Sequence, residues 1–370
     1  MKLFTVGPVQ MYDNTLKVAS EQIPYFRTME FSKIVLNIEE KIKKMVFTDI
    51  SSKVALLTAS GTGAMDSVIC NCLDENDKVL IINGGTFGNR FCELCKIYKI
   101  AYDEINLKFE EKLSQKHFEK LDGTQYTALL VNIHETSVGQ LYDINIIKNF
   151  CKKNNIFLIV DAISSFCSDI YKMDENNIDC TIISSQKGLA LNPGMSIVVL
   201  SDRLYNQKVK NKPIKNMYLD LNLHIENIKR GQTPFTPAVE ILLELNERLN
   251  YIDQYGIENV IANTEKIAKY FREKIVSSKY KNIRILEYNL SNTLTPIYFS
   301  DGNAKIIFNK LKDLYGIYVT PSGGKLENNL LRIGHLGNLK EKDYDELIEK
   351  IGVILDKWKH FLWQQVEEQE

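Results

Sequence analysis

Thr181-Ile182-Ile183-Ser184-Ser185-Gln186-Lys187-Gly188 is the stretch on which the reading of the fold turns. An apolar run meets small polar residues, then a lysine, then a glycine. Upstream, Phe157-Leu158-Ile159-Val160-Asp161 follows the same plan and closes on an acid. Short runs that are apolar on both faces read as parallel strands covered on each side. Lys187 and Asp161 then stand at the carboxyl end of two such strands.

In all, runs of this kind lie at 54–58, 78–82, 128–132, 156–161, 180–184 and 196–200. Helix-like stretches separate them, among them 64–72, 87–98 and 144–153. This alternation predicts an α/β fold with a mainly parallel sheet wrapped by helices. After about Leu200 the pattern changes. Two long helical segments, 238–255 and 258–277, precede strand candidates at 295–299, 317–320 and 330–334 and a final amphipathic helix at 341–364. The expected organisation is a large domain over 15–250 and a smaller α+β C-terminal domain over 251–370, joined by residues 1–14.

The chain has 370 residues, enough for about two domains with a large core. Its formal net charge is −1, and it carries no extended basic stripe, so nucleic acid and anionic membranes are poor partners. No apolar run approaches the length of a membrane span, and Met1–Lys2-Leu3-Phe4-Thr5-Val6-Gly7-Pro8 lacks the apolar stretch of a signal peptide. Seven cysteines, an odd number, fit a reducing cytoplasm better than a disulfide frame. Cys92 and Cys95 form a CxxC on a helix-like stretch with no second pair, which reads as buried helix residues rather than a metal site.

Chemistry gathers at the strand ends. Ser60-Gly61-Thr62-Gly63 follows the first strand and opens a helix, where free amides favour a phosphate. It is not a full dinucleotide fingerprint, because Asp66 stands where the third glycine belongs and Asn83 follows the second strand. Asn83-Gly84-Gly85-Thr86-Phe87 puts an aromatic among glycines, able to stack on a flat ring or simply to plug the core. His134-Glu135-Thr136-Ser137 adds hydroxyls and a carboxylate that could bond a ligand or order the loop. In open α/β sheets ligands bind along this edge. Lysine and acid together suit pyridoxal phosphate: the amine forms a Schiff base, and the carboxylate keeps the pyridine nitrogen protonated. Solvated loop residues would look the same if the pair stood alone.

Taken in order, these motifs resemble the class V aminotransferases of pyridoxal phosphate fold type I. The similar branch is the alanine–glyoxylate, serine–pyruvate and 2-aminoethylphosphonate–pyruvate enzymes. The resemblance runs from Gly7-Pro8-Val9 to Arg332-Ile333-Gly334. It implies that Lys187 is the Schiff-base lysine and Asp161 the partner of the pyridine nitrogen. Ser60, Gly61 and Thr62 would form the phosphate cup, with Gln186 nearby, and Phe87 would stack on the ring. Thr136 would lie near the ring oxygen, and Thr236 would reach the phosphate of a neighbouring subunit in a homodimer. Arg332 would grip the substrate carboxylate, which suits a planar guanidinium. Thr233 stands where relatives can have tyrosine, and Val138 replaces the threonine usual before Gly139.

The implied activity is ping-pong transfer of an amino group between a small amino acid or aminoalkylphosphonate and a 2-oxo acid or aldehyde. Arg27 and Arg230 are candidates for a second anion contact, or for structural pairing. A lyase or decarboxylase on the same scaffold, and a nicotinamide oxidoreductase using Gly61 and Gly63, are the competing readings. A sulfur-transferring relative would need a cysteine in the C-terminal third, and none follows Cys180.

Overall fold

Seven strands form the larger sheet of the computed structural model, which describes residues 1–278 and 280–367. Their order is Lys53–Leu57, Ser196–Leu200, Cys180–Ser184, Phe157–Asp161, Ala128–Asn132, Lys78–Asn83 and Ala101–Asn106. Ser196–Leu200 runs antiparallel to both neighbours, and the other six strands are parallel. Their carboxyl ends therefore share one edge.

Successive residues of each strand bury into opposite faces. Leu158 and Val160 join one apolar cluster with Leu129, Val131 and Ile183. Phe157 and Ile159 join another with Ala128, Leu130 and Ile182. Helices Met29–Met45, Ile144–Asn154 and Val239–Tyr255 cover the first face. Gly61–Cys72, Thr86–Ile97 and Leu221–Ile228 cover the second. Burial on both sides explains the unbroken apolar runs.

Ala101–Asn106 escaped the sequence pattern. It is an edge strand whose residues, apart from Ile105, are exposed or half-buried, so its polar residues face water instead of a helix. A second sheet orders Lys2–Phe4, Ile317–Pro321, Leu330–Gly334, Leu294–Phe299 and Ile283–Ile285. Only its first pair is parallel. Its core joins Ile297, Phe299, Val319 and Ile333 to Phe271, Leu311 and Tyr344 from three helices. The chain thus begins in one sheet and ends on it, with the larger sheet inserted between. All seven cysteines are free and buried, Cys92 and Cys95 among them.

Candidate active site

At the carboxyl edge, register brings Asn132 opposite Asp161, and Asp161 opposite Ile182. Five residues beyond Ile182, Lys187 lies in the loop that leads into Ser196–Leu200. That loop is tied to itself. Ser185 donates its amide to Met195 O at 2.9 Å and its hydroxyl to Asn192 O at 2.7 Å, and Leu191 N returns to Ser185 O at 3.0 Å. A Cβ on Gly188 would meet Phe166 O at 2.0 Å, so only glycine fits beside the lysine.

The Lys187 side chain enters a cavity of about 240 Å³ at the sheet edge. Ser60, Gly61, Thr62, Phe87, Thr136, Asp161 and Gln186 line it too, so these eight of the ten expected site residues meet. Ser60 caps the helix Gly61–Cys72, its Oγ accepting from Gly63 N at 3.5 Å. The first-turn amides of such a helix lack intrahelical acceptors and are free for an anion. The Lys187 ammonium lies 5.8 Å from the Phe87 ring centroid. Gln186 is steadied by Ser184, whose hydroxyl donates to its Oε1 at 2.6 Å.

Burial dominates the electrostatics. It lowers the Lys187 amine to about 8, with Arg332 and Arg90 pushing the same way against Asp161. It raises Asp161 to about 6, although Ile163 N donates to Oδ1 at 2.8 Å and Lys187 pulls downward. A weakened ammonium and a desolvated carboxylate thus face one cavity.

Five further residues line this cavity, Gly7 and Ser164 among them, and sequence reasoning left three side chains of the five, Arg90, Ile163 and His134, without a role. Arg90 donates to Thr62 Oγ1 at 3.0 Å and lies 5.1 Å from the Phe87 ring centroid, so it clamps the helix Gly61–Cys72 to the helix Thr86–Ile97. Its signal was available, since position i+3 shares a helix face with Phe87. Ile163 packs so closely on Gly61 that a Cβ there would meet its Cδ1 at 2.4 Å. His134 is 2% exposed, and among the described residues neither ring nitrogen has a hydrogen-bond partner. Desolvation, then the charge of Lys187, lowers it to about 3 and keeps it neutral.

That depression predicts an acid sensitivity. The unfolded chain binds a proton at His134 near the ordinary histidine value, whereas the folded chain binds it only near 3. Between those values unfolding takes up protons, so this contribution to stability is lost as pH falls. Denaturant unfolding of the apoenzyme from pH 6 to pH 4 should show His134→Gln losing less stability than the parent, by up to about 1.4 kcal/mol per pH unit. Equal slopes would refute a neutral buried His134.

Glu135, fully buried, orders the loop. Its carboxylate accepts from Gly88 N at 2.9 Å, Asn132 Nδ2 at 3.0 Å and Ser137 Oγ at 2.5 Å. It thereby caps the helix that carries Phe87, where a negative charge is favoured. Arg332 occupies a neighbouring cavity that shares Phe87 with the first. Its Nη1 donates to Thr136 O at 3.0 Å and its Nη2 to Pro321 O at 2.5 Å, while its Nε is buried without an acceptor. Thr236 is exposed and lines neither cavity. Arg27 donates to Gln232 Oε1 at 3.0 Å and Thr233 O at 2.7 Å, and Arg230 donates to Asn227 Oδ1 at 2.6 Å. Neither arginine lines the Lys187 cavity. Val138 is explained by packing, because it is buried against Leu286, Tyr288 and Leu330.

The residues suit pyridoxal phosphate on their own chemistry. A desolvated carboxylate lacks a strong cationic partner, a helix N-terminus offers free amides, and one aromatic and one aliphatic wall bound a cavity with an amine in reach. Such a site on this sheet is that of a pyridoxal phosphate enzyme of fold type I. The family model described as aminotransferase class-V matches residues 11–330, and the chain belongs to that family. An uncharacterized aminotransferase of Methanocaldococcus jannaschii is 30% identical over 92% of this chain and 89% of its own. The L-aspartate–glyoxylate aminotransferase of Paracoccus denitrificans is 26% identical over 92% of this chain and 87% of its own. The crystal structure of an alanine–glyoxylate aminotransferase from Nostoc sp. superposes with a TM-score of 0.88 at 23% identity, covering 95% of this chain and 94% of that one. The protein is therefore a class V aminotransferase that uses pyridoxal phosphate. Among the described residues no helix is long and apolar enough to cross a membrane.

Proposed function

We propose that the enzyme moves an amino group from a small amino acid to a small 2-oxo acid such as glyoxylate, by a ping-pong cycle with Lys187 as its covalent and proton-carrying amine. One observation carries this reading: the buried Lys187 amine and the buried Asp161 carboxylate line a single cavity beside Phe87. The bound cofactor supplies an electron sink for charge developing at the substrate Cα. Asp161 holds a proton on the ring nitrogen, and Ser60, Gly61, Thr62 and Gln186 receive the phosphate. Phe87 and Ile163, which both line the cavity, would hold the ring. As a free amine, Lys187 Nζ would take the proton from the substrate Cα and deliver it to the coenzyme carbon that bears the transferred nitrogen. Neutral His134 offers a donor to an oxygen at the cavity wall, beside Thr136.

Arg332 would hold the substrate carboxylate through its open Nε edge. Arg332→Gln should lower kcat/KM for amino acid donors about 30- to 100-fold, mostly through KM, as expected for a lost charge-assisted pair. An unchanged KM would remove Arg332 from the substrate site. The glyoxylate preference rests on the named relatives. An acceptor screen comparing glyoxylate, pyruvate and 2-oxoglutarate, with and without 2-aminoethylphosphonate as donor, decides it.

Shared active sites in a homodimer are favoured by Thr236, which is exposed and outside the cavity of its own chain. A cytoplasmic location accords with seven free cysteines. We place the division near residue 250; the core of the larger sheet takes residues up to Val260, and that of the smaller takes them from Phe271 onward. Borohydride reduction followed by peptide mass spectrometry tests the central claim. A pyridoxyl group on Lys187 is expected, and one on any other lysine would overturn it.

A further inference from the structure

A larger cleft lies away from the catalytic cavity. Its volume is about 440 Å³, and its walls are helices Val239–Tyr255 and Ile257–Val276, Tyr12, and the segment from His335 to the start of the last helix. Arg248 lines it and is only 3% exposed. The Arg248 guanidinium carbon lies 4.2 Å from the Tyr12 ring centroid and 5.2 Å from that of Tyr251. Rings cover the faces of a guanidinium, but its N–H groups point outward in the plane and still require acceptors. The Arg248 Nε–H is buried with none, and among the described residues no carboxylate forms an ion pair with this side chain. Half-buried Arg272, by contrast, is supplied: it donates to Thr295 Oγ1 and to the carbonyls of Ser291 and Leu294. An unpaired buried cation is costly, so a cleft that contains one is built for an acceptor it does not itself provide.

The rim has the matching sign. Lys266, Lys340 and Lys342 line the cleft, and its sole acidic lining residue, Glu341, is paired with Lys266 at 3.0 Å. One wall is fixed by Gly337, whose φ is +86° and where a Cβ would meet Gln10 O at 2.2 Å; Asn338 N then donates to Gln10 O at 2.8 Å. Tyr251 and Tyr255, stacked at 5.6 Å, give the cleft a flat apolar side.

We propose that this cleft binds a small organic oxyanion, a phosphate or carboxylate on a ring-bearing body, with Arg248 as its buried anchor. The oxyanion would accept from the guanidinium edge and the lysines of the rim, while the ring would lie against the tyrosines. None of these groups belongs to the catalytic cavity, so the site is separate from the amino-transfer machinery.

Isothermal titration of the holoenzyme with inorganic phosphate, phenyl phosphate and benzoate tests this. One site per chain is expected, with phenyl phosphate at least about threefold tighter than inorganic phosphate, since the ring adds apolar contact. Arg248→Met should weaken binding at least about 10-fold, and Lys340→Ala with Lys342→Ala about threefold, with turnover unchanged in both. Arg248→Lys, which keeps the charge without the fork, should fall between parent and Arg248→Met. Should Arg248→Met not fold, the lysine variants carry the test. Phenyl phosphate against benzoate shows whether the tetrahedral or the planar anion is preferred. Failure of all three probes to bind the parent overturns the proposal. So do unchanged affinities in the variants, or displacement of the anion by a saturating amino donor, which would place it in the catalytic cavity.

Discussion

Lys187→Ala is expected to cut kcat/KM by about 10⁴-fold or more while the protein stays folded. Among the described residues no other lysine lines the cavity, so no second amine stands ready to take over. Burial holds this amine at about 8, which leaves roughly a tenth of it unprotonated at neutral pH, far more than an ordinary lysine would offer. The variant should show no borohydride-trapped pyridoxyl group and should recover part of its rate with added methylamine. Rescue separates a missing amine from a damaged fold. Activity within about 10-fold of the parent would refute the role.

Asp161→Asn should be the next most severe change, lowering kcat by about 10²–10³-fold with little effect on donor KM. The amide keeps an acceptor for Ile163 N and nearly the same volume, so stability should hold. It loses the negative charge, and with it the means to keep a proton on a ring nitrogen. Its raised value of about 6 leaves Asp161 ionised at neutral pH and protonated under mild acid. A protonated ring nitrogen beside it would pull that value down again, so the acidic limb of the parent kcat, which Asp161→Asn lacks, should lie below the value of the empty site. If the variant retained kcat within about threefold, the carboxylate would not serve this purpose.

The fold was legible where burial is two-sided. Strands such as Phe157–Asp161 are apolar throughout because helices cover both faces, whereas Ala101–Asn106 at the edge carries polar residues and gives no such pattern. The short strands Lys2–Phe4 and Ile283–Ile285 have too few residues for any periodicity to show. Helices begin earlier than the apolar spacing predicts, at Gly61 and Thr86, because the first turn serves the cavity and not the core. Asp161 and Phe87 could be read because one ends a strand and the other lies in the first turn of a helix, and Lys187 because it follows a strand end by three residues. His134 and Ile163 could not, because their importance comes from what folds against them. An unpartnered imidazole is a property of its surroundings, and no local spacing encodes it.

The lysine loop closes on itself through Ser185, Asn192 and Met195, by hydrogen bonds that lie wholly within the protein. Assembly of the holoenzyme should then resemble the loading of a finished socket rather than a disorder-to-order event. Hydrogen exchange across this hairpin ought to be equally slow in empty and charged enzyme, and coenzyme uptake should be paced by imine formation instead of by chain rearrangement.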